Sequence, residues 1–265
     1  MTLALHLPLA PLLLVQAHRA RQRIPKLPEA DGPRHGTVGH GPPLRVWIVG
    51  DSSAAGVGVA TQDQALAGCL APALARSAGV SLHWRVLARS GLNTQEVVGL
   101  VDELLAQAEP DAGPRTADVA VVVTGVNDIV DRLPDAAVNA ARSQVLHHLR
   151  EHFQVRHVVW TPMAPMGEFV GLPQPLRWIA GREAACHGRA LTNWIATQSG
   201  TSQMNFKMPV GDPSLLARDG FHPGPPLYRM LGEVLAEHIA TEVWPSLQPP
   251  GLGTGRGLPA ASIAT

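Results

Sequence analysis

Cysteine is nearly missing from this chain. The 265 residues include two, Cys69 and Cys186. That excludes a disulfide scaffold, a four-thiolate zinc site and a CxxC redox pair. Both read as inert, buried thiols. Aromatic residues are also scarce, at 4%, with one tyrosine and four phenylalanines. An excess of charge of either sign is lacking: 21 basic residues balance 21 acidic ones. A protein that neutralises many phosphates would be basic, so nucleic acid is not an expected partner. No apolar run reaches the roughly 18 to 20 residues of a membrane span. Against these absences stand 45% hydrophobic residues, 26 glycines and 24 prolines. The expectation is a globular chain with a sizeable core and many tight connections.

The ends differ from the middle. Leu3 to Ala17 is apolar but broken by His6, Pro8 and Pro11, and Arg19, Arg21, Arg23 and Lys26 follow before the first acid, Glu29. A secretory signal carries its positive charge ahead of the apolar stretch, and here it lies behind. Three readings stay open: an interfacial or packed amphipathic segment, a cleaved signal, and an unstructured start. If the segment touches a bilayer, the basic side keeps the domain on the cytoplasmic side; the expectation is a cytoplasmic protein, free or peripheral at that membrane face, and secretion stays open with the signal reading. Residues 31–43, rich in Gly and Pro, read as a linker closing an N-terminal unit of 1–43. Residues 248–265 read as a flexible tail. The domain is placed at 44–247, and oligomeric state is not addressed by any of these features.

Within it, short β-branched runs recur at Leu44–Val49, His83–Ala88, Val119–Val123 and His157–Trp160, with a weaker one near Gln203–Phe206. Helical spacing fills the gaps. Val97, Val101, Leu104, Leu105 and Ala108 share one face, Val138, Ala141, Val145 and Leu149 another, and Leu227, Met230, Leu231, Val234 and Leu235 a third. Asn93 and Glu96 have the spacing of a capping box. Alternation of this kind predicts an α/β fold, a parallel sheet with helices on both faces. Ligands of such sheets bind beyond the carboxyl ends of the strands, so the loops there matter most.

Those loops read Gly50-Asp51-Ser52-Ser53, Arg89-Ser90-Gly91-Leu92-Asn93, Thr124-Gly125-Val126-Asn127-Asp128 and, before the last helix, Asp219-Gly220-Phe221-His222-Pro223. Each alone is ordinary turn chemistry: Ser52 could be a helix cap, Asp219-Gly220 a turn, and Gly91 a structural glycine. Together they supply a hydroxyl, an imidazole, a carboxylate and polar donors at one sheet edge, the parts of nucleophilic acyl transfer. A serine hydroxyl needs a base in hydrogen-bond reach, the base needs a carboxylate to hold its tautomer, and the oxyanion needs fixed donors.

In these four blocks the chain resembles the SGNH (GDSL-type) hydrolases over residues 44 to about 243. GDSS at 50–53 matches the first block, Gly91 the second, GVND at 125–128 the third and DGFH at 219–222 the last. The resemblance implies a three-layer αβα, flavodoxin-like sheet of about five parallel strands and ester hydrolysis without metal or cofactor. It implies Ser52 as nucleophile, His222 as base and Asp219 as its orienter. The oxyanion hole would come from the Ser52 and Gly91 N–H groups and the Asn127 side chain. Ser53 stands where the family often has Leu or Ile, and spacing to Gly50-Asp51 favours Ser52 as the attacking hydroxyl. Asp51 reads as support for the serine turn, and Asp128 as an orienter of loops or a cap.

Other chemistries lack parts. Ala54 breaks the G-x-S-x-G elbow, 56–60 has the wrong spacing for a dinucleotide loop, and no Walker lysine follows. His148 and His152 have the spacing of a metal pair but without a third ligand, and read as a solvated helix face. The loop 161–178 carries Met163, Met166, Phe169, Leu172, Leu176 and Trp178. It is read as the wall of an acyl site or as a lid packed on its own core. The expected substrate is a small-molecule acyl or lysophospholipid-like ester. The alternatives are an O-acetyl esterase of carbohydrate or peptidoglycan, and a non-catalytic binding module on the same scaffold.

Overall fold

A computed structural model describes residues 10–23, 25–106 and 115–248. The expected tail from 249 onward, and Ala108, lie outside the described residues. Six strands form one sheet: β1 (His35–Val38), β2 (Pro43–Gly50), β3 (Ser81–Ala88), β4 (Val119–Val123), β5 (His157–Trp160) and β6 (Thr201–Gln203). Their order is β1-β3-β2-β4-β5-β6, and every pairing is parallel except β1 with β3. Helix α1 (Ala10–Arg23) precedes the sheet; α2 (Leu66–Ala78), α3 (Thr94–Ala106), α4 (Val126–Val130), α5 (Asp135–Phe153) and α6 (Leu176–Ile195) lie in the connections between parallel strands, and α7 (Pro225–His238) follows the last strand.

The central strands read as continuous apolar runs because both faces are covered. Val46 and Ile48 of β2 and Val121 of β4 point to one core, shared with Leu70 and Leu74 of α2 and Leu231 and Leu235 of α7. Trp47, Val49, Ala120 and Val122 point to the other, with Val97 and Val101 of α3, Val145 and Leu149 of α5 and Leu191 of α6. The sheet therefore separates two apolar layers. The capping box forms as spaced: Asn93 N–H donates to Glu96 Oε2 at 2.9 Å, and Glu96 N–H donates to Asn93 Oδ1 at 3.0 Å.

Two expectations need correction. The stretch read as a linker, 31–43, contains β1, which adds an antiparallel edge strand to the five parallel ones. Four residues with a glycine among them are too short to show alternation, and the strand exists by pairing with the free edge of β3. The last strand lies earlier than its apolar pattern, at Thr201–Gln203 instead of 203–206. The edge of β5 offers only Val158 to Trp160 to pair with, and beyond it Met204 is buried as core.

Candidate active site

The registers Gly50↔Ala88, Gly50↔Val123 and Val122↔Trp160 bring the carboxyl ends of four parallel strands level, so their loops face one another. At the centre, β2 ends on Gly50 at φ +153°, where a Cβ would lie 2.0 Å from the Val123 carbonyl oxygen. Only glycine lets β2 pass β4 so closely before the chain turns. Asp51 N–H then donates to Val123 O at 3.0 Å, and the Asp51 carboxylate accepts from Ser53 N–H at 3.0 Å. It is Asp51, not Ser52, that caps this turn. The cap leaves the Ser52 side chain free to point outward.

Ser52 Oγ lies 3.0 Å from His222 Nε2, and His222 Nδ1 lies 2.6 Å from Asp219 Oδ2. The other Asp219 oxygen accepts from the N–H groups of Phe221 and His222, each at 3.0 Å. Burial by itself would raise the Asp219 carboxyl, but the His222 ring and these two N–H donors outweigh it and hold the group below the ordinary aspartate value. The loop is braced on both sides: Ala217 N–H donates to His222 O at 2.8 Å and Gly224 N–H to Leu215 O at 2.8 Å. Three side chains separated by some 170 positions thus form one line of hydrogen bonds, with the carboxylate fixed before any substrate arrives.

Gly91 has φ +89° and nothing within 4 Å of where a Cβ would stand, so it serves the turn conformation and leaves open space beside the serine loop. The Asn127 Nδ2 group donates to Leu92 O at 2.9 Å. An amide nitrogen has two hydrogens, so this bond fixes the plane of the group and leaves the second hydrogen for another acceptor. Two further links tie the same pair of loops. Asp128 accepts from the N–H and Oγ1 of Thr94, both at 2.7 Å, and Asn93 Nδ2 donates to Asp131 Oδ2 at 2.9 Å. Asp128 therefore orients the neighbouring loop and caps α3 at once.

Ser52, Gly91, Asn127 and His222 all line one cavity of about 210 Å³. Its remaining lining is mostly apolar: Leu66, Val123, Val126, Phe169, Met208, Val210, Leu216, Leu227, Leu231 and Leu235. Among the residues expected as an acyl wall, only Phe169 lies on it. Met166 is in the core, because the 3₁₀ turn Met166–Glu168 is pressed against α6 at Gly181. Met163 and Trp178 line a separate, open groove along α6, where Trp178 faces outward under Arg182 at 4.9 Å. The deeper lining comes from α7, whose face Leu227, Leu231 and Leu235 reads in sequence as ordinary core.

Asp51 is the electrostatic exception. It is buried, and loss of hydration raises its carboxyl to about 7; the Ser53 N–H and His222 pull it down, while Asp128 pushes it up. Tyr228 OH donates to Val57 O at 2.7 Å on the floor of the same region.

The family model described as GDSL-like Lipase/Acylhydrolase matches residues 48–230. The GDSL-like esterase Rv1075c of Mycobacterium tuberculosis is 29% identical over 249 residues, spanning 84% of this chain and 74% of that protein. Among solved structures, the lipase Lip_vut3 from a goat rumen metagenome superposes with TM-score 0.59 at 18% identity, over 76% of this chain and 99% of that one. The psychrotrophic esterase EstA of Pseudoalteromonas does so with TM-score 0.55 at 16% identity, over 74% and 96%. At such identities the two structures speak for the fold alone.

Proposed function

The chain belongs to the GDSL-like lipase/acylhydrolase family and is a hydrolase acting on ester bonds; from that premise we propose that Ser52 is its nucleophile in an acyl-enzyme mechanism. Ser52 Oγ attacks the ester carbonyl as His222 Nε2 takes its proton, and Asp219 holds the imidazole tautomer and stabilises the imidazolium. The carbonyl oxygen becomes an oxyanion held by the Ser52 and Gly91 N–H groups and by the free hydrogen of the Asn127 amide. Collapse expels the alcohol with the proton carried by His222. Water, deprotonated by the same imidazole, then attacks the acyl-serine and releases the acid. The observation that carries this reading is the continuous Ser52–His222–Asp219 hydrogen-bonded line, whose Ser52 and His222 line the cavity.

The apolar lining supports an acyl chain as the group that enters, with the alcohol half left outside. The test is hydrolysis of p-nitrophenyl esters by wild type, Ser52→Ala and Ser53→Ala. Ser52→Ala should lose roughly 10³-fold or more in kcat/KM while Ser53→Ala keeps most of it. Turnover that survives in Ser52→Ala would refute the assignment. Asn127→Ala should lose about 10²-fold in kcat. The EstA structure is described as inhibited by monoethylphosphonate. A phosphonate reagent should likewise label this chain at Ser52 and fail on the alanine variant.

A further inference from the structure

We propose that α1, together with the segment it rests on, is a docking face for an anionic phospholipid surface. Six large hydrophobic side chains are exposed among the described residues, and five of them are Leu12, Leu14, Val15, Val170 and Trp178, at 45%, 57%, 46%, 58% and 46% exposure. The first three are on α1 and the other two flank the segment 171–177, which α1 contacts directly. Gln16 Nε2 donates to Gln174 O at 2.7 Å, and Leu176 N–H donates to Gln16 Oε1 at 3.2 Å. Leu13 is buried and Ala20 packs on the core, so one face of the helix is anchored while Leu12, Leu14 and Val15 stand outward. Exposed apolar residues gathered in one place mark an interaction surface.

Charge selects the occupant. From residue 10 to residue 28 the chain carries Arg19, Arg21, Arg23 and Lys26 and no acid. Arg19 and Lys26 are exposed. On the α6 side, Arg182 lies over the exposed Trp178 ring at 4.9 Å, a cation beside an aromatic that suits the headgroup level of a bilayer. Glu29, the first acid, is already engaged by Arg34 and by Ser90 N–H; Glu168 is the exposed acid of the 161–178 loop. Apolar side chains beside unneutralised basic ones form the pattern of a helix lying in a membrane interface, held jointly by acyl contact and by anionic lipid. No described helix is long and apolar enough to cross a membrane. The association is peripheral. Phe169, next to the exposed Val170, lines the cavity, so the proposed docking segment runs on into one wall of the site.

The experiment is cosedimentation of the full chain with vesicles of phosphatidylcholine, with and without phosphatidylglycerol. Wild type should pellet with the anionic vesicles, not with phosphatidylcholine alone, and be released by high salt. Replacing Leu12, Leu14 and Val15 together by Gln should weaken partitioning roughly tenfold or more, and Arg19→Glu with Lys26→Glu should remove the preference for anionic lipid. Both variants should keep wild-type turnover of a soluble short-chain ester, which also certifies their folding. If the apolar variant misfolds, the charge variant decides alone. Wild type remaining in the supernatant, or variants binding as well as wild type, would overturn the proposal. So would an apolar patch that instead drives dimerisation, seen as a wild-type dimer by sedimentation equilibrium that becomes monomeric in the Gln variant. None of these readouts depends on Ser52 being the nucleophile.

Discussion

Asp51 invites the sharpest perturbation, because it is a buried carboxylate whose bond from Ser53 N–H is one that an asparagine oxygen can also accept. Its carboxyl is raised from 3.8 to about 7, chiefly by loss of hydration. Between these values the folded chain holds a proton that the unfolded chain has released, so stability falls as pH rises through the window and levels off above about 7. Three pKa units correspond to a ceiling of about 4 kcal/mol, of which roughly 2.5 kcal/mol should develop between about pH 5 and about pH 8. The wild-type curve also contains His157, lowered to about 4 by burial and by the nearby His238 and Arg150. That group acts oppositely: its contribution is present above the unfolded value and is lost as pH falls toward 4. Subtracting the curves of wild type and Asp51→Asn cancels it. Urea unfolding followed by tryptophan fluorescence, at pH steps across the window, should show Asp51→Asn gaining on wild type as pH rises. Two curves that stay parallel within about 0.5 kcal/mol would refute the reasoning.

The cavity volume sets a chain-length limit. A bounded apolar cavity of about 210 Å³ takes a short or medium acyl chain, so kcat/KM on p-nitrophenyl esters should climb from acetate to a medium-chain ester and fall for palmitate. Leu231→Trp, which fills the floor, should move the optimum toward acetate; an unchanged profile would place the acyl chain elsewhere. Asp128→Ala breaks both bonds to Thr94, so it should lose about 2 kcal/mol or more of stability and lower kcat, read by urea unfolding and by steady-state kinetics. Asp219→Asn should lower kcat by roughly 10³ to 10⁴-fold through the imidazole tautomer while leaving the fold intact, checked by circular dichroism beside the assay.

Much of this is legible in the amino-acid sequence. The runs Leu44–Val49 and Val119–Val123 are strands because β-branched residues covered on both faces have few other places to go. Val97 and Val101 of α3, or Leu227 and Leu231 of α7, mark their buried faces by helical spacing alone. The four polar loops were readable as one site because parallel strands end on the same side. β1 was not legible, since its pairing depends on an edge of β3 that lies far away in sequence. Nor was the cavity wall: Met163, Met166 and Trp178 have the right chemistry for it, but the packing of Gly167 on Gly181 turns one inward and leaves the others on a different groove.

Sequence by itself determined the architecture and the kinds of group at the sheet edge. Both follow from patterns repeated over a few residues, which the backbone reads locally. Tertiary structure decided which hydroxyl faces the imidazole, since Ser52 and Ser53 differ only in how Asp51 caps their turn. It also decided the depth of the cavity, which α7 lines from nearly the far end of the chain, and the proton affinity of Asp51. Those depend on distances between residues remote in sequence and on how much water is excluded between them, quantities that exist only once the layers have closed.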